Sequence, residues 1–282
     1  MPQLGGSTLV ILQVIWAIGA SMVVLAGCQF FGPKVCLVLG VIIVIGHNAL
    51  DSFWPVGELF GGTDPLWYGL QTQFSAASGP FLIIIGYPIL SWIGVMLLGY
   101  GTAFVFEKGA EERDRILFRS GLIMIGIFVV IRAIGFYGDP NPWQVHEGSI
   151  KATVLDFMNV SKYPPSLLFL LATLGPMAIV CSLADKMTGW LKNTLVMFGR
   201  VPFAFYVAHW YVIRLLSLAL AKQQGFEVSD MTTLFFFFPE GYGVSLGGVY
   251  AVWLVVLVIL YPFCKWVPRV KSRRRDWWLS YL

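Results

Sequence analysis

The sequence predicts an all-α integral membrane protein, a polytopic bundle of about seven transmembrane helices. The first observation is composition: 57% of the 282 residues are hydrophobic and 12% are charged. Ordinary soluble domains carry roughly 25% charged residues, and a soluble chain of this length has too much surface to cover with so few. The second observation is a series of apolar runs of about 20 residues, the length that crosses a bilayer as a helix.

The apolar runs follow one another along the chain, and no polar linker divides them. We therefore expect a single transmembrane domain over residues 1–282. The short apolar segment Phe81–Ile85 is expected to extend the third span or to form a short helix ahead of it. The predicted spans are Thr8–Gly27, Val35–Leu50, Pro88–Phe106, Ile116–Phe136, Ser166–Ala184, Leu195–Ala221 and Val244–Val267.

Lysine and arginine in the connections predict the orientation of the spans. Twelve basic residues fall on one predicted side and three on the other, and cytoplasmic connections carry the excess. The sequence therefore predicts the N-terminus outside and the C-terminus in the cytoplasm, across a bacterial cytoplasmic (inner) membrane. The net charge of +4 comes from the C-terminal basic run, which is typical of membrane anchoring and not of nucleic-acid binding.

Metal and disulfide chemistry are not expected from the sequence. The four cysteines lie in or beside apolar runs without CxxC spacing, and the three histidines do not form a ligand motif.

The end of the second span carries a candidate base pair. His47 and Asp51 are four residues apart, so they share one face if the helix continues. An aspartate there can hold an imidazole in the tautomer that a general base requires. The alternative is a polar cap at the end of a span.

The start of the fifth span is a candidate anion site. Pro164 and Pro165 suit the first turn of a helix, whose N–H groups and positive dipole end would then lie beside Lys162 and Tyr163. The alternative is that the two prolines only mark the junction between loop and span.

Three arginines in or beside the spans are costly in lipid and need polar surroundings. Arg132 and Arg214 are expected to face the bundle interior or a polar cavity. Arg200 begins the sixth span at its inner end, where it can meet the phosphates of a cytoplasmic ligand or lipid headgroups.

Several phrases occur in a characteristic order along nearly the whole chain. They are Leu12–Gly19, Gly46-His47-Asn48, Tyr87-Pro88 with Trp92–Tyr100, Tyr137–Pro140 with Trp143, Asn159-Val160, Lys162–Leu168, Thr173–Pro176, and Phe198–Pro202 with Tyr206 and His209. The ordered series resembles the bacterial membrane proteins related to heparan-alpha-glucosaminide N-acetyltransferase, a family of transmembrane acyltransferases.

The resemblance implies an acyltransferase that takes an acyl (acetyl) group from acyl-CoA on the cytoplasmic side. It passes the group to a hydroxyl or amine, often on a sugar or another cell-envelope acceptor, across the membrane. No metal and no nucleic acid is involved. In this interpretation His47 and Asp51 are an auxiliary base pair and Arg200 lies toward the donor. Substrate-binding roles on the acceptor side go to Asn48, Asp139, Trp143, Lys162, Tyr163 and His209.

One departure from the family changes what is expected of the chain. The family normally begins with further spans that carry an Arg-Gly motif and an Asp-His pair, and the histidine usually assigned to acyl transfer belongs to that part. No residue here matches it. We therefore expect the C-terminal portion of a longer fold, completed by an upstream segment, by a separate N-terminal chain or within a homo-oligomer.

Two other functions remain open from the sequence. The first is a transporter or flippase for an anionic or glycolipid substrate, with Arg132 and Arg214 along its pathway; the absence of an inverted repeat counts against it. The second is an inactive, truncated member of the acyltransferase family.

Overall fold

In a computed structural model, which describes residues 8–52, 69–78, 80–232, 238–273 and 276, the chain is mostly helical. Seven helical stretches among these residues are long and apolar enough to cross a membrane, which confirms a multi-pass membrane protein. The sidedness of the termini stays a prediction. The stretches are Val14–Phe31, Pro33–Ser52, Leu90–Glu107, Ala110–Ile134, Leu167–Lys186, Pro202–Gln223 and Leu246–Arg273.

The described chain forms two compact units, Met1–Asp185 and Lys186–Leu282. The first unit contains all the strands and six helices of the described part. These helices are α1 (Val14–Cys28), α2 (Pro33–Gly46), α3 (Leu90–Gly101), α4 (Ala110–Ile134), α5 (Ile150–Met158) and α6 (Leu167–Leu183). Short 3₁₀ turns lengthen α2 (His47–Ser52) and follow α3 (Ala103–Glu107).

A small sheet corrects the all-α prediction. Its strands are β1 (Thr8–Leu12), β2 (Phe74–Ser78) and β3 (Phe81–Ile85), in the order β1-β3-β2. β1 runs parallel to β3, with Val10 opposite Ile83, and β2 runs antiparallel to it. Runs rich in threonine, valine and isoleucine favour strands over helices, so Thr8–Leu12 does not open the first span and Phe81–Ile85 is not helical.

Glycines let neighbouring spans of the first unit approach closely. A Cβ added at Gly40 of α2 would lie 2.7 Å from the Leu98 nitrogen of α3, and one at Gly101 would lie 2.6 Å from Leu37. Between α4 and α6, a Cβ at Gly121 would lie 2.6 Å from the carbonyl oxygen of Gly175. Lipid tails are as apolar as leucine, so close contact through small residues is what holds such pairs together.

The second unit contains α7 (Gly189–Gly199), α8 (Pro202–Gln223) and α9 (Leu246–Arg273). Because Pro202 takes the first turn of α8, the predicted sixth span is divided and begins at Pro202 instead of Leu195. Arg200 therefore lies between two helices. The buried core of the unit consists of Val201, Ala204, Val256, Leu260, Cys264 and Val267.

Candidate functional site

The N-terminus of α6 is where the sequence predicts an anion site, but the protein fills it with its own acceptors. The side chain of Ser166 caps the helix and accepts from the Phe169 nitrogen at 3.0 Å. The Leu167 nitrogen donates to Asn48 Oδ1 at 2.8 Å, and the Leu168 nitrogen donates to the Gly138 carbonyl at 3.0 Å. The first three N–H groups of the helix thus have partners, so this terminus does not offer free donors to an anion.

The carboxylate nearest to that helix end belongs to Asp139, whose side chain is 2% exposed. Its Oδ2 accepts from the Ser161 nitrogen and from Ser166 Oγ, both at 2.7 Å, and its Oδ1 accepts from the Asn141 nitrogen at 2.9 Å. These bonds occupy both carboxylate oxygens. Asp139 therefore fixes the loop before α6, and its predicted contact with a substrate is not what the geometry favours.

Arg132, the buried arginine of α4, donates hydrogen bonds only to backbone carbonyls among the bonds of the described residues. Its partners are Asn141 (2.7 Å), Asp156 (3.1 Å), Phe157 (2.9 Å) and Asn159 (2.8 Å). Three of these carbonyls belong to the C-terminal end of α5, so Arg132 caps that helix and complements its dipole. It faces the bundle interior, as predicted, where it acts as a structural clamp.

His47 is buried, and both of its ring nitrogens face carbonyl oxygens. Nδ1 lies 3.1 Å from the carbonyls of Ile43 and Val44, and Nε2 lies 2.9 Å from the carbonyl of Pro165. His47 thereby joins the end of α2 to the Pro-Pro turn. A base with both nitrogens engaged in this way does not have a nitrogen free for a substrate proton.

Asp51 does not orient His47, so the predicted base pair is wrong in its geometry. The chain continues from α2 as a 3₁₀ turn, in which residues three apart are aligned instead of residues four apart. Asp51 therefore bonds to Asn48 Nδ2 at 2.7 Å, and also to Gln71 Nε2 at 2.9 Å. Asn48, predicted to bind substrate, bridges Asp51 and the start of α6.

Tyr137 joins this hydrogen-bond network beside the end of α2. Its hydroxyl donates to the carbonyl of Ile45. Burial raises the pKa of the Tyr137 phenol, and the nearby charge of Asp51 adds to the rise. Tyr137 therefore stays a protonated donor. We refer to His47, Asn48, Asp51, Asp139 and Ser166, with Arg132 and Tyr137, as the polar hub.

A cavity of about 370 Å³ lies between α1 and α3, beside the Pro-Pro turn. Its wall is mainly apolar and includes Ala17 and Ile18 of α1 and Val95 and Met96 of α3. Lys162 adds a cation to the lining. An apolar pocket with a few polar groups is the usual form of a ligand site.

Two polar atoms of this wall are buried without a hydrogen-bond partner among the described residues, namely Ser21 Oγ and Trp92 Nε1. Ser21 is 1% exposed in the middle of α1. Burying a donor without an acceptor costs about 1–3 kcal/mol, so such groups are rare in folded proteins. Both residues line the same cavity, although the two atoms themselves are covered by neighbouring protein atoms.

No protein-family model, curated protein or solved structure that was searched matches this chain.

Lys162, predicted from the sequence, lines this cavity, and Tyr163 adjoins it through contacts with Lys162 and Tyr87. The Lys162 ammonium sits 5.1 Å from the centre of the Tyr163 ring, and the Tyr163 hydroxyl is 3.2 Å from the hydroxyl of Tyr87, which also lines the cavity. The two tyrosine rings meet edge to face with centroids 5.2 Å apart. A cation and two linked hydroxyls thus stand together beside the apolar wall.

The other predicted residues lie elsewhere in the described chain. Trp143 packs edge-on against Phe157 with centroids 5.2 Å apart, so it supports α5. In the second unit, His209 stacks on Phe205, and its Nδ1 lies against the carbonyl of Tyr206. Exposed Arg200 follows the end of α7. The substrate and donor roles of these residues stay predictions.

Sequence reasoning missed Ser21 and Gln71 and named Trp92 only within a family phrase. A serine inside an apolar span is unremarkable, because its hydroxyl commonly bonds to the preceding turn of the helix. Only the structure shows that the Ser21 hydroxyl lacks such a partner among the described residues.

Proposed function

We propose that this protein is a membrane-embedded acyltransferase, or the membrane portion of one, which holds the acyl group of its substrate in the cavity between α1 and α3. The observation that carries the proposal is the pair of buried donors without partners, Ser21 Oγ and Trp92 Nε1. An acyl carbonyl oxygen is an acceptor attached to an apolar group, and this wall suits both parts. The same donors would stabilise the negative charge that develops on that oxygen during transfer.

The transfer itself is an exchange of the acyl group between sulfur and an acceptor. The hydroxyl oxygen or amine nitrogen of the acceptor bonds to the thioester carbonyl carbon, and the carbon–sulfur bond breaks. Coenzyme A leaves as its thiol, with the proton that the acceptor loses passing through a base. His47 does not suit that step, because both of its nitrogens face carbonyls. We therefore assign the proton transfer to a group other than His47.

The surroundings of the cavity support an acceptor that is polar or anionic. Lys162 provides a cation, and the Tyr87 and Tyr163 hydroxyls can align an acceptor hydroxyl by hydrogen bonds. The basic-residue count favours an extracytoplasmic position for this end, which would suit a sugar or cell-envelope acceptor. The donor would be acetyl-CoA or another acyl-CoA, reached from the cytoplasmic side of a bacterial inner membrane. Completion by a second copy or by an N-terminal part belongs to the same proposal.

The experiment compares the chain carrying Trp92→Phe with the unchanged protein, each expressed with its upstream reading frame in membrane vesicles. Transfer of labelled acetyl groups from acetyl-CoA to glucosamine is measured. The substitution keeps an aromatic ring and removes the N–H donor, so we expect transfer to fall by roughly 10²-fold. Trp253→Phe, at an exposed position of α9, is the matched control.

Full transfer by Trp92→Phe would show that the cavity donors do not act on the acyl group. Uptake of labelled glucosamine into the vesicles without any acyl donor would favour a transporter instead. Loss of transfer in both tryptophan variants would point to a general loss of folding and would contradict the specific role of Trp92.

A further inference from the structure

We infer that α5 (Ile150–Met158) is an interfacial helix whose outward face lies in the lipid of the membrane surface. The outward face is apolar. Ile150 is 85% exposed, Leu155 61%, Val154 54% and Met158 52%. Positions 150, 154 and 158 are spaced four apart, so they form one stripe along the helix. A stripe of this kind is typical of a helix that buries one apolar face against an apolar neighbour.

The remaining side chains and the C-terminal end of α5 are fixed to the first unit. Phe157 meets Phe128 of α4 and Trp143 edge to face, with centroids 5.9 and 5.2 Å away. Arg132 of α4 holds the carbonyls at the C-terminal end of the helix. Asp156 accepts from the Gln144 nitrogen at 2.8 Å. The helix therefore has a defined orientation, with its apolar stripe turned away from the bundle.

These contacts set the depth of α5 relative to the membrane. Phe128 lies six residues before the end of α4 at Ile134, which at 1.5 Å per residue is about 9 Å along the helix axis. Because α4 is one of the stretches able to cross the membrane, α5 lies beside its last two turns. A helix at that depth meets the boundary between headgroups and acyl chains, where interfacial helices bury their apolar faces by about 5–10 Å.

Lipid is the occupant that the neighbouring surface favours. The end of α4 and the residues after it continue the apolar stripe, since Ile134 is 69% and Phe136 is 89% exposed. Lys151, also exposed, is the charged residue of the outward face and can reach anionic headgroups. The loop that carries Lys162 is therefore anchored at the level of the membrane surface.

The test is a measurement of depth with an environment-sensitive fluorophore on the full chain in lipid vesicles. The accessible cysteines are first removed by Cys28→Ser and Cys181→Ser, which leave the buried Cys36 and Cys264. Single cysteines are then introduced by Val154→Cys and by Leu155→Cys and are labelled. Glu147→Cys, at an exposed position of the turn before α5, is the matched control.

We expect aqueous iodide to quench the labels at 154 and 155 several-fold less than the label at 147. Lipids with a nitroxide near the headgroup should quench the labels at 154 and 155 more than lipids with a nitroxide near the chain end. Iodide quenching equal to that at 147 would overturn the inference, because the stripe would then face water. Protection from both quenchers, with crosslinking between copies, would also overturn it in favour of a protein partner. Thermal unfolding of each variant in detergent must match that of the parent.

Discussion

The polar hub and the cavity wall lie in the same unit, and they treat buried polar groups in opposite ways. In the hub, the nitrogen and the oxygen of the Asn48 amide both bond to protein partners, and so do both carboxylate oxygens of Asp139. In the wall, Ser21 Oγ and Trp92 Nε1 have no partner among the described residues. A satisfied network stabilises a fold, whereas an unpaired buried donor costs free energy that folding alone does not return.

The residues that suggest chemistry in the sequence are therefore not the ones that form the candidate ligand contacts. Histidine, aspartate and arginine are the residue types that suggest chemistry in a sequence, and here they build the scaffold. A serine and a tryptophan, which suggest a membrane helix and its aromatic belt, provide the candidate ligand contacts.

The largest expected effect is the loss of the clamp in the hub. Arg132→Leu removes the donors of four carbonyls and leaves Asp139 buried without its cation, 3.8 Å away in the native protein. We expect the free energy of unfolding in detergent to fall by about 3–5 kcal/mol. Arg119→Leu, on the exposed side of the same helix, is the control and should change it little. Equal effects of the two substitutions would contradict the clamp.

A smaller loss is expected at the bridge between α2 and α6. Asn48→Leu leaves the Leu167 N–H without its acceptor and Asp51 without one donor. The free energy of unfolding should fall by about 1–3 kcal/mol. Asn193→Leu, on exposed α7, serves as the control and should have little effect. If Asn48→Leu lowered stability no more than Asn193→Leu, the bridge between α2 and α6 would not matter.

A weaker, pH-dependent effect is expected near the hub at Asp156. The Gln144 N–H and then the ring of His146 lower the pKa of this carboxyl below its ordinary value of 3.8. Its contribution to stability is therefore complete above that value and is lost as the pH falls through the lowered pKa. Hydrogen exchange of residues 144–156 should rise in that acidic range. Asp156→Asn should remove this dependence, and an unchanged acid profile would refute the assignment.

The smallest effect is expected in the cavity wall. Ser21→Ala removes a hydroxyl without a partner, so the free energy of unfolding should stay the same or rise slightly. Ser182→Ala, at an equally buried serine that donates to the Ile179 carbonyl at 2.7 Å, should lower it by about 1 kcal/mol. A loss of similar size at Ser21 would show that its hydroxyl is bonded, and the contrast between wall and hub would fail.

Much of the fold follows from the sequence, because length and apolarity determine which segments cross a membrane. The number of spans is confirmed, and the fifth starts at Leu167, one residue after its predicted start at Ser166. The errors arise where apolarity does not distinguish between structures. Thr8–Leu12 is as apolar as a span, and only pairing with Phe81–Ile85 makes it a strand.

The candidate site was less accessible from the sequence, for a different reason. The four-residue spacing of His47 and Asp51 brings their side chains together only in an α-helix. In the 3₁₀ turn Asp51 instead accepts a hydrogen bond from Asn48. Lys162 and Tyr163 were found because the Pro-Pro turn marks a helix start. Ser21 could not be found, since the absence of a hydrogen-bond partner is a property of the packed structure and not of the residue.

The glycine contact between α4 and α6 bears on how the protein assembles during synthesis. The two helices are consecutive membrane spans, and Gly121 and Gly175 set their close approach without any residue from the second unit. The pair can therefore associate in the bilayer before α8 and α9 are inserted beside it. The order of the chain thus lets the polar hub close around a helix pair that is already in place.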